Sequence, residues 1–145
     1  MIRKLISITL LLLTIIPCLR AQRKEISQAR SYIKSGKDLD KAEKLLRGVM
    51  EKDSASREDP RVHVYLLQSI EKQYAEGNEK LYLKQKYDTT ALFALTKKMF
   101  DVAETLDSID ALPDEKGRVR TKYRTKNAEM LNKCRPNLFF GGMFH

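Results

Sequence analysis

Residues 38–52 read DLDKAEKLLRGVMEK, and their spacing decides the fold class. At 100° per residue, Leu39, Ala42, Leu45, Leu46, Val49 and Met50 fall within a sector of about 140°, while Lys41, Lys44, Arg47, Glu51 and Lys52 lie opposite. That pattern predicts an amphipathic helix from Asp38 to Lys52, with Asp38 capping its start. Upstream, Gly36 suits the end of a helix over 25–35, whose Ile26, Ala29 and Ile33 share a face. Two helices joined by so short a turn predict an antiparallel hairpin.

Downstream, residues 53–59 (DSASRED) read as a polar loop ending in Asp59-Pro60. That pair is a strong helix start: Asp caps the free amides and Pro at the first helical position has no amide to satisfy. Val62, Leu66, Ile70, Tyr74 and Leu81 then recur at helical spacing, which predicts a helix to Gln85 with a weak point at Gly77-Asn78. Asp88 caps a fourth helix whose Leu92, Leu95, Met99, Val102, Ala103 and Leu106 form one stripe, with Phe93 and Phe100 beside it. Lys97, Lys98, Asp101 and Glu104 are expected to face away.

After a break at 111–115 (ALPDE), residues 118–126 alternate basic and other side chains, which is a strand signal. Helical angles bring Val119, Tyr123, Met130 and Cys134 within about 60°, and residues 128–131 favour helix. Helix is therefore the expectation, with Arg135-Pro136-Asn137 starting a last one. The end, Leu138 to Phe144, is apolar and has no helix after it to cover it. The fold class expected is all-α.

The first residues are of another kind. Arg3 and Lys4 precede an apolar run from Leu5 to Pro17, and Ala21 closes a less hydrophobic stretch. This reads as an export signal over 1–21, cut between Ala21 and Gln22, with 22–145 as the working domain of the periplasm or cell envelope. An uncleaved anchor is the alternative, against which stands a run shorter than the roughly 20 residues of a spanning helix. A second is a lipoprotein acylated at Cys18, against which stands Pro17. Cleavage removes Arg3, Lys4, Arg20 and no acid, and so lowers the net charge from +9 to +6. Cys134 is then the sole cysteine, so packing rather than a disulfide must hold the domain.

No residue pattern points to catalysis. His63 and His145 have no metal-ligand spacing with each other or with a Cys-x-x-Cys pair, so no metal site is expected. His63, beside Leu66 and Ile70, reads as a packed or groove-lining residue, and Cys134 as a small buried thiol. Gly141-Gly142 lacks the further glycines and the lysine of a phosphate-binding loop. No cofactor and no small-molecule substrate are expected. The sharpest local feature is residues 116–135, where Lys116, Arg118, Arg120, Lys122, Arg124, Lys126, Lys133 and Arg135 face one acid, Glu129. A solvated face, an acidic protein or an anionic envelope surface all suit such a run. Nucleic acid, bound through these cations and Tyr123, suits an exported chain poorly.

Helix pairs with one apolar face each are the organisation of helical repeats. Ala42, Leu46 and Val49 in the second helix of the first pair, and Tyr87 to Phe93 at the entry of the fourth helix, resemble the tetratricopeptide repeat family. The stretches LYLKQKYDTT (81–90) and RPNLFFGG (135–142), with the leader, are similar to exported members of that family from Gram-negative envelopes. The interval from Ala42 to Thr90 exceeds that family's period of about 34 residues. The resemblance implies a short α-solenoid of stacked antiparallel pairs, a non-enzymatic scaffold that binds a protein partner. Its inner surface would be lined by first helices, with Tyr65, Gln68, Lys72 and Tyr74 as partner-binding candidates. Arg118, Lys122 and Tyr123 are the candidates on the basic segment, in the second reading where an expected helix over 116–135 meets an anionic partner or membrane surface. A third reading is a shortened remnant of a longer repeat protein.

Overall fold

The stripe Leu39, Ala42, Leu46 and Val49 is buried as the periodicity requires, and its Ala42 and Leu46 pack into a core shared by every long helix. The computed structural model describes residues 21–143, and among these there is helix and no strand. Six helices follow in order: α1 over 21–35, α2 (Leu39–Lys52), α3 (Ser54–Glu58), α4 (Pro60–Tyr82), α5 (Thr89–Asp110) and α6 (Arg124–Met143). The expected leader lies outside the described residues except for Ala21. No helix among the described residues is long and apolar enough to cross a membrane.

The pairings follow from named contacts. Glu25 at the start of α1 meets Lys52 at the end of α2 at 3.6 Å, so these two helices are antiparallel. The turn between them uses two left-handed residues, Gly36 at φ 70° and Asp38 at φ 53°. This corrects the expected cap: the left-handed Asp38 makes no side-chain cap and instead meets Lys41 at 2.6 Å. Asp59 and Asp88 do cap as expected, accepting from the Arg61 amide at 2.8 Å and the Thr90 amide at 2.9 Å. α5 and α6 are also antiparallel, joined by Arg124 and Asp107 at one end and by Gly141 against Phe93 at the other. α1 and α4 run the same way, since Tyr65 meets Arg30 and Lys72 meets Ile33. So do α4 and α6.

Three further expectations need correction. The loop 53–59 contains α3, because the Asp53 carboxylate captures the Ser56 amide at 2.9 Å. α4 ends at Tyr82 rather than Gln85 and runs unbroken through Gly77, whose missing side chain makes room for the Tyr87 ring. Arg135-Pro136-Asn137 starts nothing, since Pro136 lies inside α6. The Tyr74 hydroxyl holds Asn137 there, accepting from its Nδ2 at 2.5 Å.

The core is mostly apolar, with the hydroxyls of Ser69 and Thr96 bonded to carbonyls of their own helices and one charged side chain. Leu46, Leu66, Ile70, Met99 and Leu106 are fully buried, and each such side chain stabilises by about 2 kcal/mol. Glu43, only 6% exposed, sits among them on α2. Its Oε1 accepts from Arg47 at 2.9 Å and from Lys98 of α5 at 3.0 Å, and its Oε2 from Gln73 of α4 at 3.1 Å. Lys98, expected to face away, thus turns inward to a carboxylate 55 residues distant. Burial pushes the Glu43 carboxyl up, but the bonds from Lys98, Gln73 and Arg47 outweigh it and hold the group below its ordinary 4.5. A lowered folded value means that Glu43 stabilises fully above about pH 4.5 and loses that contribution as pH falls through the folded value.

Two predictions follow from this packing. Replacing Glu43 by Leu, similar in volume, should change stability by less than about 1 kcal/mol, whereas Arg47→Ala with Lys98→Ala should cost about 3 kcal/mol near neutrality by stranding the charge. Denaturant unfolding at pH 7 and pH 4 checks both, and the double variant's deficit should shrink at the lower pH. Separately, a Cβ at Gly141 would lie 2.8 Å from the Phe93 Cβ, which cannot rotate away, while one at Gly48 meets nothing within 4 Å. Gly141→Ala should therefore cost about 1–3 kcal/mol and Gly48→Ala should stabilise by about 0.5–1 kcal/mol, as read by thermal unfolding.

Candidate functional site

α1 turns Ala29 and Ile33 into the core, which leaves Ser27, Arg30, Ser31 and Lys34 on its other side. On α4 the burial of Val62, Leu66 and Ile70 leaves Tyr65, Gln68, Glu71 and Lys72 outside the core stripe. These two sets face each other across an open groove of about 580 Å³. The Arg30 guanidinium stands 5.1 Å from the centre of the Tyr65 ring, within the range where a cation is attracted to the face of an aromatic ring. The Lys72 ammonium donates to the Ile33 carbonyl at 2.8 Å. That carbonyl is among the last of α1, where a cation also meets the negative end of the helix dipole.

The groove therefore mixes polar and apolar surface, the latter from Ile33 and Tyr65, and carries two fixed cation contacts. Ser27, Ser31 and Gln68 bring donors and acceptors to its walls, and Arg30, Lys34 and Lys72 outnumber Glu71. Such a lining suits hydrogen bonding to an extended backbone together with attraction to acidic side chains.

Of the four candidates expected on this surface, the structure brings Tyr65, Gln68 and Lys72 together. Tyr74 is elsewhere. It is half-buried against α6, with its hydroxyl on Asn137 and close to Cys134, and burial raises its pKa above the ordinary tyrosine value, with Cys134 adding to the effect. Arg30, Ser31 and Lys34 were not expected in the groove. Their positions opposite Ala29 and Ile33 were the available signal, but only pairing with α4 turns an outward face into a wall.

The basic segment is corrected in its geometry. Residues 111–123 are not helical, and α6 begins only at Arg124. Asp114 is the reason: its carboxylate accepts from the Lys116 and Arg118 amides at 2.9 Å each and from the Arg118 guanidinium at 3.0 Å. Gly117, at φ 71°, closes that turn. Backbone bonds to a carboxylate replace those of a helix. They also hold the Asp114 carboxyl below its ordinary value. Val119 does not join a stripe with Cys134, being 58% exposed. Lys122 lies 5.3 Å from the centre of the Tyr123 ring, and the Tyr123 amide donates to Asp110 at 2.8 Å. Arg124 meets Asp107 through two bonds at 2.7 and 2.8 Å. Lys116, Arg120, Lys126, Lys133 and Arg135 have no ion-pair partner among the described residues.

His63 is buried with Nε2 at 2.7 Å from the Arg57 carbonyl. It is a packed histidine that ties α4 to α3 and lies outside the groove. Cys134 is buried and free, and burial raises its pKa. His145 lies outside the described residues, among which no group of three His, Cys, Asp or Glu could hold a metal ion. Compared with known proteins, the chain matches no family model, no curated protein and no solved structure.

The Lys72 contact is the one bond across the groove whose removal is easily read. Lys72→Met should lower stability by about 1 kcal/mol and speed amide exchange within residues 21–35 more than in α5.

Proposed function

We propose that this protein is a non-enzymatic interaction module of the cell envelope, built of tetratricopeptide-like helix pairs, which holds an extended segment of a partner protein between α1 and α4. The observation that carries this reading is the open groove between two parallel helices, with Arg30 of α1 over Tyr65 of α4 and Gln68 on the α4 wall. α1 and α2, then α4 and α5, form successive hairpins, and α6 lies beside α4 as a further first helix would. Stacked pairs of this kind offer extended surfaces rather than enclosed cavities. The extra length between matching positions is taken up by α3 and by the 23 residues of α4. Export is supported by the character of residues 1–21. Tyr65, Gln68 and Lys72 are the partner-binding residues on this reading, joined by Arg30 and Lys34.

A second reading has its own observation. Six cations between Lys116 and Arg135, Lys122 among them, lack an ion-pair partner among the described residues. They would hold an anionic partner or membrane surface, with Arg118, Lys122 and Tyr123 at its edge.

A photo-crosslinking residue at position 68, and another at Ser108 as control, separate the two in cells. The groove reading expects a discrete adduct from position 68 alone, lost when Arg30→Glu is added. Equal adducts from both positions, or none from 68, would overturn it. The second reading expects adducts from position 120 that fall away between low and high salt in isolated envelopes.

A further inference from the structure

We propose that the protein rests on the surface of an anionic lipid bilayer through the end of the bundle where α4 and α6 finish, with Phe139 and Phe140 entering the headgroup layer. α4 and α6 run the same way and α5 returns beside both, so the ends of α4 and α6 and the 83–88 loop share one end of the fold. Tyr82, Leu83, Phe139 and Phe140 lie there, four of the six large apolar side chains that are exposed among the described residues. On α6, steps of 100° put Phe139 and Phe140 on either side of a direction about 160° from the buried Cys134 and Gly141, so both rings point away from the core. The two rings meet edge to face at 6.0 Å. Lys133 falls within about 20° of Phe140 and Arg135 within about 40° of Phe139, one or two turns earlier. Both cations are exposed and have no ion-pair partner among the described residues. The sequence holds no acid after Glu129, which is about 16 Å back along the helix from Phe140.

The loop repeats the combination. α4 closes with Lys84 in the left-handed region at φ 57° and with the Gln85 amide on the Lys80 carbonyl at 2.8 Å. That turn leaves Tyr82 85% and Leu83 55% exposed, beside the exposed Lys84 and Lys86. Of the acids at this end, Glu76 holds Lys80, Asp88 caps α5, and Asp38, on the turn that borders Gly77 and Tyr87, holds Lys41. Asp40 and Glu79 remain, against Lys37, Lys84, Lys86, Lys133 and Arg135.

Aromatic rings beside unpaired cations suit the interfacial layer of a bilayer. The rings take the boundary between headgroups and acyl chains, while lysine and arginine extend apolar stems and keep their charges at the phosphates. A protein partner would need separate recesses matched to projections on two elements, whereas lipid yields around them. The contact does not use the groove between α1 and α4. Of the cations in the basic segment it takes only Lys133 and Arg135, since the turn at 114–123 lies at the other end of α6, about 24 Å from Phe140. It therefore stands or falls apart from both readings of function.

Flotation of the protein recovered from cells expressing the full chain tests this, with vesicles of phosphatidylglycerol and phosphatidylethanolamine against vesicles of phosphatidylcholine alone. Partition into the anionic vesicles should exceed that into the neutral ones about tenfold or more. Phe139→Ser with Phe140→Ser should lower it by a similar factor, about tenfold. Lys133→Glu with Arg135→Glu should cut the preference for anionic vesicles at least about fivefold. All four positions are exposed, and circular dichroism verifies that helix content is unchanged. The chain has no tryptophan, so Phe140→Trp and Arg120→Trp each give a single reporter. Emission from position 140 should shift to the blue on anionic vesicles and be quenched by brominated acyl chains, and emission from position 120 should do neither. The proposal is overturned by absent flotation, by equal partition into both kinds of vesicle, or by partition unmoved when both phenylalanines are replaced. Quenching at position 120 in place of 140 overturns it in favour of the basic turn. A discrete protein adduct from a photo-crosslinking residue at position 139, on a chain that ignores the vesicles, overturns it in favour of a protein partner.

Discussion

A carboxylate taken out of water must be met by donors arranged around it, and Glu43 is met from three helices at once. The apolar core supplies most of the favourable free energy, but burial of leucines and methionines is indifferent to a shift of one helix along another. Glu43 is not indifferent. Sliding α5 by one turn would move the Lys98 ammonium by about 5.4 Å and leave the buried charge with Arg47 and Gln73 alone. The ion network thus sets the register among α2, α4 and α5, at a desolvation cost that an apolar residue would not incur.

With that register set, the position of α1 follows. α1 is antiparallel to α2 through Glu25 and Lys52 and fixed to α4 by the Lys72 bond to Ile33 and the stacking of Arg30 on Tyr65. Ala29, with no exposure, and Ile33 close the inner side of the contact. On the outer side the walls are Ser27, Ser31, Gln68 and Lys34, which gain nothing by burial unless every donor and acceptor is met. The same lining makes the groove a surface to which hydrogen-bonding partners can add.

Local chemistry was legible in the sequence where it is decided locally. The stripes of α2 and α5 and the caps at Asp59 and Asp88 need only spacing and one side chain near its own backbone. Asp38 has the right residue type for a cap, yet a cap requires extended backbone at that position, and the turn after Gly36 puts Asp38 in the left-handed region. Residues 118–123 have the angles of a helix, but Asp114 takes the amides that would begin it. Lys98 sits at the edge of its stripe, and the acid that draws it inward is in another helix. Of the candidate site, Tyr65, Gln68 and Lys72 were readable from one helix face. Tyr74 was misassigned because periodicity cannot tell a residue facing a groove from one facing a neighbouring helix, and the neighbour here is α6.

α6 shows what remains when a helix is held by its ends and middle rather than by an apolar stripe. Two bonds from Arg124 to Asp107 fix its start, Cys134 and Asn137 meet Tyr74 halfway, and Gly141 lets its last turns approach Phe93. Among its described residues, Cys134 and Gly141 alone are buried. Met130 and Leu131 pack against the core, but Phe139 and Phe140 are 67% and 50% exposed on the same helix that carries Lys133 and Arg135, which have no ion-pair partner among the described residues. Exposure of two large aromatic side chains side by side costs solubility and contributes little to the stability of one copy. The free energy that a partner surface would recover there is the physical reason to seek this helix's function in what it touches outside its own chain.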